Sequence, residues 1–327
     1  MDIVPLPHDA DPALIDGSVA LTNAVHAADS PWVHPETASN LRGALEHGWD
    51  GEPPITFVGL DGDHVVAQGM VHVSDWDNLD LAWLGAEVHP EHRRQGLGSA
   101  MFAFVRDHAA GMGRTKTGAD AWDGNPGMAF LERHGMAPKS RAINRRQHVA
   151  ELDFDDVRSR YHGAAAAAAA YEVVRIEGTT PESLLPAMSE MVASINDAPL
   201  DDLEIEDEVF PPERVSAYES AQIARGFRMY RLLAQHRESG DLAGHTVVAV
   251  DGSRPHIGHQ HDTTVVRSHR GHRLGMLLKA GMNLWLADTE PQLLTVDTWN
   301  AESNDHMIGV NEALGYRWMG REVEFQP

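Results

Sequence analysis

Four landmarks occur twice in this sequence, in the same order and at nearly constant distance. A glycine opens an apolar run at Gly69 ("QGMVHV") and again at Gly244 ("AGHTVVAV"), 175 residues on. Arg93 and Gly98 of "HRRQGLGSA" answer to Arg270 and Gly275 of "HRGHRLGML", both 177 residues apart. "NPGMAFLERHGM", with Gly135, answers to "NDHMIGVNEALGY", with Gly315, at 180. An offset of this size exceeds solenoid repeats and equals an ordinary domain, so a whole domain is written twice. The length, 327 residues, points the same way. The seam is expected near "YHGAAAAAAAYEVV" (161–174), where an alanine run favours helix. The expected organisation is a first domain over 1–155, a helical spacer over 156–170 and a second domain over 171–327.

Each copy reads alike. In the first, "DIVPL" is a strand, "PALIDGSVALTNAVHAA" has helical spacing, and "ITFVGLDGDHVVAQGMVHV" is two strands about a D-G turn. "LAWLGAEV" (strand), "SAMFAFVRDHAAGM" (helix), "TGADAW" (strand) and the glycine-closed helix "GMAFLERHG" follow. The second copy gives strands at "RMYRLLAQH", "HTVVAV" and "DTTVV". It continues with the helix "MLLKAGMNLWLAD", the strand "LLTVDTW" and the helix "SNDHMIGVNEALG". Strands first, then strand, loop, helix, strand, helix, specify an α/β fold with a mixed sheet in each half.

The repeated basic loop sits between a strand and a helix. Successive backbone N–H groups there converge on an anion, and the helix adds the positive end of its dipole. Gly96 and Gly98 bare the backbone, while Arg93 and Arg94 bring charge. The loop is built for a phosphate or diphosphate, although glycine-rich turns also serve packing alone. A nucleotide-triphosphate loop would need Gly-Lys-Ser/Thr, and no lysine is present. The dinucleotide fingerprint would need a third glycine, where Met101 stands.

"VHPEHRRQGLGSA" resembles the acetyl-CoA diphosphate loop of the GNAT N-acetyltransferase superfamily, Gln/Arg-x-x-Gly-x-Gly/Ala, with Arg93, Gly96 and Gly98 on the marked positions. The family's Asn helix closed by Gly-Phe is echoed by Asn125…Gly135-Met136 and by Asn304…Gly315-Tyr316. Both halves share the resemblance, which is to the tandem two-domain type that includes mycothiol synthase. It implies two GNAT-like domains, each with a mixed, mostly antiparallel sheet flanked by helices. It implies acetyl-CoA as donor and direct transfer to an amine without an acyl-enzyme. Cofactor contacts are then expected at Val88, Arg93, Arg94, Gln95, Gly96, Leu97, Gly98, Ser99 and Asn125. In the second half they fall at Val266, Arg270, Gly271, His272, Arg273, Leu274 and Gly275. Asn304 joins the catalytic candidates. Arg273 stands where the family has glycine, and either strains the backbone or adds a phosphate contact. The tyrosine that often protonates the leaving thiolate is replaced by Leu131 and Asn311.

A base for the amine is sought on the strand before each loop. In the first half Glu87 is the acid on "LAWLGAEV". The second offers "HIGHQHDTTVV", with His259 and His261 on one face and Asp262 on the other. His261 is the candidate base, since imidazole titrates near neutrality. His256, His259 and His261 could also ligate a metal, but without cysteine or a fourth ligand no metal is expected. The acidic stretch "DAPLDDLEIEDE" (197–208) falls where the second half should build its acceptor wall. Asp201, Asp202 and Glu204 there would favour a cationic acceptor, or form a solvated loop.

The formal net charge of −23 argues against nucleic acid and membrane as partners and suits a small cationic amine. The absence of cysteine excludes disulfides and a thiol nucleophile. No basic-then-apolar stretch marks a signal peptide, so a cytoplasmic monomer or homodimer is expected. The reading is an N-acetyltransferase with its more plausible acceptor site in the second half. The alternatives are a non-catalytic acyl-CoA sensor, suggested by the missing tyrosines, and an enzyme acting on protein amines.

Overall fold

A computed structural model describes residues 1–327. The first part of the chain forms β1 (Asp2–Pro5), α1 (Pro12–Asp29), α2 (Ala38–His47), β2 (Ile55–Asp61), β3 (His64–His72) and β4 (Leu81–Val88). It continues with α3 (Leu97–Gly111), β5 (Lys116–Trp122), α4 (Pro126–Arg133), β6 (Ala137–His148) and α5 (Phe154–Ala167). Then come β7 (Tyr171–Glu177), α6 (Leu185–Val192), α7 (Pro212–Ala224), β8 (Phe227–His236), β9 (Leu242–Asp251) and β10 (Ile257–Val265). The last elements are α8 (Leu274–Thr289), β11 (Thr295–Ala301), α9 (Asp305–Ala313) and β12 (Tyr316–Gln326). No helix is long and apolar enough to cross a membrane.

Two units emerge, but not at the expected seam. Unit 1 holds residues 1–142, 200–207 and 320–327; unit 2 holds 143–199 and 208–319. In unit 1 the strands run β1-β2-β3-β4-β5-β12, antiparallel except for β4 against β5. In unit 2 they run β6-β11-β10-β9-β8-β7, with β10 and β11 parallel. Each sheet therefore takes its final strand from the other half of the sequence. Residues 322–325 of β12 pair with residues 119–122 of β5 in unit 1. In unit 2 the end of β6 lies beside β11, where Arg146 bonds Asp297 and the Gln147 amide donates to the Leu314 carbonyl at 2.6 Å. Expected boundaries at 155 and 171 give way to this exchange.

The alanine-rich segment is a helix, as its composition predicts, but it is no spacer. Helix α5 packs on α8 and places Val157 and Ala164 in the core of unit 2. Alanine suits it because the approach is close: a methyl on Gly281 of α8 would come within 3.1 Å of the Tyr161 ring.

In unit 1, α3 covers one face of the sheet. Met101 and Val105 press on Gly69, where a Cβ would lie 2.5 and 2.7 Å from them, so this strand must be bare at that position. Alternate residues Ala119, Ala121, Val323 and Phe325 complete that core. The opposite face, under α1, receives the residues between them, and these carry the chemistry described below.

Candidate active site

The two basic loops have the same backbone. In unit 1 Arg94 and Gly96 take positive φ, 64° and 84°; in unit 2 the corresponding positions are Gly271 and Arg273, 87° and 58°. Each loop thus sets one glycine and one arginine in left-handed conformation, in opposite order. The helices that follow, α3 from Leu97 and α8 from Leu274, begin without a side-chain cap. Their first N–H groups therefore face outward for an anion. Methyl groups on Gly96 and Gly275 would meet nothing within 4 Å, and one on Gly98 only ordinary contacts. These openings fit the diphosphate of a CoA ester.

Arg93 and Arg270 do different work from that expected. The Arg93 guanidinium donates to both carboxylate oxygens of Asp29, at 2.9 and 2.7 Å, and its Nε to the Val88 carbonyl at 3.1 Å. Arg270 repeats the arrangement with Asp197, 2.6 Å, and the Val265 carbonyl, 3.0 Å. Both clamp the loop to the end of the preceding strand. Charge for a phosphate is left to Arg94 and Arg273, both exposed. Gln95 and His272 are exposed beside them, and the side chain of Leu274 is buried, so only its backbone can serve a ligand. Ser99 bonds the His134 ring at 3.1 Å.

The equivalence of Val88 and Val265 corrects the expectation for Val266. The Val266 amide donates to the Ala243 carbonyl at 2.9 Å and is not free for a ligand, as the His89 amide donates to Val66 in unit 1. Asn125 and Asn304 are helix caps: their side chains accept from the Gly127 amide at 2.7 Å and the Met307 amide at 3.2 Å. That fixes the starts of α4 and α9 and gives Asn304, named among the catalytic candidates, a capping role.

Strands β4 and β5 pair only from Leu81↔Lys116 to Trp83↔Gly118, after which both run on unpaired with each other. The indole of Trp83 lies across Gly118, where a Cβ would be 2.1 Å from the ring. Register and the two-residue period place Trp83, Glu87, Asp120, Trp122, Glu322 and Glu324 on one face. Asp120 is exposed and the three glutamates half-buried, so they line a cleft that solvent reaches. Loss of hydration in the wall of the cleft pushes Glu87 up to about 7, with Asp120 and Asp29 adding to the rise and the Thr22 hydroxyl, at 3.2 Å, and Arg93 opposing it. Asp120 and Glu322 share a hydrogen bond, and partial loss of hydration within the cleft raises both carboxyls although the edge of Asp120 reaches solvent; Asp120 and Glu324 raise Glu322 further. Glu324 is raised by burial against the opposing bond from Ser140.

Unit 2 repeats the parting, with β10 and β11 paired only as far as His259↔Asp297. Its walls differ. Thr264 stands where Glu87 does, opposite His245 as Glu87 is opposite Gln68, and it bonds Ser194 at 2.8 Å. His261 bonds the Tyr218 hydroxyl at 2.5 Å. Burial, together with His259, Arg225 and Arg231, pushes this imidazole down to about 3. It is a feeble base at neutral pH, against its sequence expectation. Asn311, at the family's tyrosine position, is buried and donates to Asn300 at 2.6 Å. His256, His259 and His261 are not arranged to hold a metal ion together.

The acidic stretch belongs to the other unit. Ser140 donates to Asp201 at 3.0 Å, the Asp202 amide to the Lys139 carbonyl at 3.1 Å, and the Glu204 amide to Gln326 at 2.7 Å. Residues 200–207 therefore edge unit 1 and not a wall of unit 2. Sequence reasoning missed Asp120, Glu322 and Glu324. The alternation in "REVEFQ" marks a strand with an acidic face, but not its partner.

Residues 22–136 match the model of the acetyltransferase (GNAT) family. A tandem GNAT protein from the clavulanic acid biosynthesis pathway, solved without AcCoA, is 26% identical, with a TM-score of 0.80 over 100% of this chain and 98% of its own. A GCN5-related N-acetyltransferase from Sphaerobacter thermophilus is 15% identical, with a TM-score of 0.68 over 99% of this chain and 95% of its own. No curated protein matches the sequence.

Proposed function

We propose that this chain, whose residues 22–136 match the GNAT acetyltransferase family and whose fold is that of a tandem GNAT protein, is an acetyl-CoA-dependent N-acetyltransferase whose working site lies in unit 1 and takes a small cationic amine. Acetyl-CoA would supply an activated acetyl thioester. The α3 N-terminus, the Gly96 and Gly98 backbone and Arg94 would hold its diphosphate, and the unpaired edge of β4 its acyl end. The observation that carries the proposal is Glu87, on the strand that enters the loop, facing the cleft where β4 and β5 part. An amine arrives as ammonium and must lose a proton before it can attack. A carboxylate near 7 takes that proton at neutral pH and releases it to solvent afterwards.

The acceptor site moves from unit 2 to unit 1 because Thr264 cannot serve as a base and His261 is too weakly basic. One specific observation, the same open loop with Thr264 in the place of Glu87, favours the non-catalytic reading for unit 2: it binds an acyl-CoA without turning it over.

The test is release of CoA, followed with a thiol reagent across an amine panel. For wild type, kcat/KM should rise as pH climbs through about 7 and Glu87 ionises. Glu87→Gln should lose about 10²- to 10⁴-fold and the pH-dependent limb with it. Acetyl-CoA binding by calorimetry with no turnover of any amine would overturn the catalytic assignment.

A further inference from the structure

Four carboxyls, Glu87, Asp120, Glu322 and Glu324, face one cleft in unit 1; Arg93 acts on Glu87 alone, and no cation of the chain acts on the other three. Four basic side chains of this unit are committed to other carboxylates: Arg93 to Asp29, Arg114 to Asp75, Lys116 to Asp80 and Arg321 to Asp123. Unit 2 shows the contrast. Beside its own parted strands, Asp297 is neutralised by a buried, two-pronged bond to Arg146 at 2.6 and 2.7 Å. Like charges this close cost stability unless protons or an outside cation intervene, and Asp120 and Glu322 meet that cost by sharing a hydrogen bond.

A second, independent feature lies on the same strand. Trp32 and Trp122 meet edge to face, ring centres 5.1 Å apart, over Gly320, where a Cβ would be 2.3 Å from Trp32 and 2.7 Å from Trp122. Gly320, Glu322 and Glu324 share one face of β12. The Trp32 indole nitrogen is shut from solvent and finds no acceptor on the chain. Aromatic faces beside uncompensated carboxylates are a surface for an organic cation, and an enclosed N–H without a partner marks a wall completed by something else.

We propose that β12 is the specificity element of the unit 1 cleft, with Glu322, flanked by Asp120 and Glu324, selecting an amine that carries a second positive charge. The proposal rests on the preceding functional reading. If Glu87 receives the proton of the reacting ammonium, three carboxyls remain for a charge further along the acceptor. A monoamine leaves the negative charge that this proton-sharing group still carries without a partner; a diamine or a guanidino-amine does not. Glu322 acts on binding, not on proton transfer.

Calorimetry of 1,4-diaminobutane and of butylamine, with acetyl-CoA present, tests this without relying on turnover. The wild-type protein should bind the diamine at least about tenfold more tightly. Glu322→Gln should weaken diamine binding about tenfold and leave butylamine unchanged. Glu324→Gln acts in the same direction and serves if the first variant fails to fold, judged by near-UV circular dichroism. Equal affinity for the two amines, or a diamine affinity indifferent to both substitutions, overturns the proposal. In turnover, Glu322→Gln should raise KM for the diamine with kcat unchanged, which a general loss of structure would not do. Selective binding without any turnover would instead overturn the catalytic reading and leave this one standing.

Discussion

At the scale of single residues, the two loops show one backbone solved by two sequences. The conformation demands left-handed φ twice, and each copy meets it with one glycine and one arginine. Sequence alone left Arg273 between strain and an extra contact; a φ of 58° places it in the strained conformation, with its side chain exposed. An L side chain there costs about 1–2 kcal/mol, and replacing it by glycine returns about 0.4–1 kcal/mol of that to the freer unfolded chain. Arg273→Gly should therefore raise the stability of unit 2 by about 0.5–1 kcal/mol, a rise of a few degrees in Tm by calorimetry. It should weaken CoA binding at this loop, because Arg270 is tied to Asp197 and cannot substitute. A melting point that falls would show the positive φ to be stabilised by something other than glycine's freedom.

At the scale of elements, the feature that positions the site is the parting of β4 from β5. Trp83 crosses Gly118 at the last paired position, and its N–H reaches Asp120. A methyl at 118 would strike the ring at 2.1 Å and displace it. Gly118→Ala should cost about 1–3 kcal/mol in chemical denaturation, as an overpacked site does, and should lower activity beyond that loss by freeing Asp120. Unchanged turnover in a destabilised protein would detach Trp83 from the site. The strands, the loop and the helices flanking them were legible in sequence because their signals are local: period-two alternation, glycine and arginine before a helix, glycine after one. The acid wall was not. Asp120 and Glu324 meet across about 200 residues of chain, and no local pattern announces that pairing. His261 misled for a related reason, since residue type suggests a base while the Tyr218 contact and burial decide the basicity.

At the scale of the whole molecule, duplication was plain in the sequence but the boundaries were not, because each unit completes its sheet with a strand from the other copy. Repeats reveal what was copied, not which copy a strand joins. The consequence is physical. Val323 and Phe325, fully buried in the core of unit 1, lie far beyond the residues that the sequence assigns to the first domain. Burial of two such side chains contributes about 1.5–3 kcal/mol each, and the β5 ladder adds to it. A fragment of residues 1–155 should therefore expose the inner edge of β5 and fail to give a cooperative melt, although it contains the entire family match. The same fragment with residues 318–327 appended through a flexible glycine-serine linker should recover a cooperative transition and, with Glu322 and Glu324 restored, diamine binding. A cooperative melt from the bare fragment would mean that β12 is dispensable to unit 1, and that the exchanged strand is not what closes its sheet.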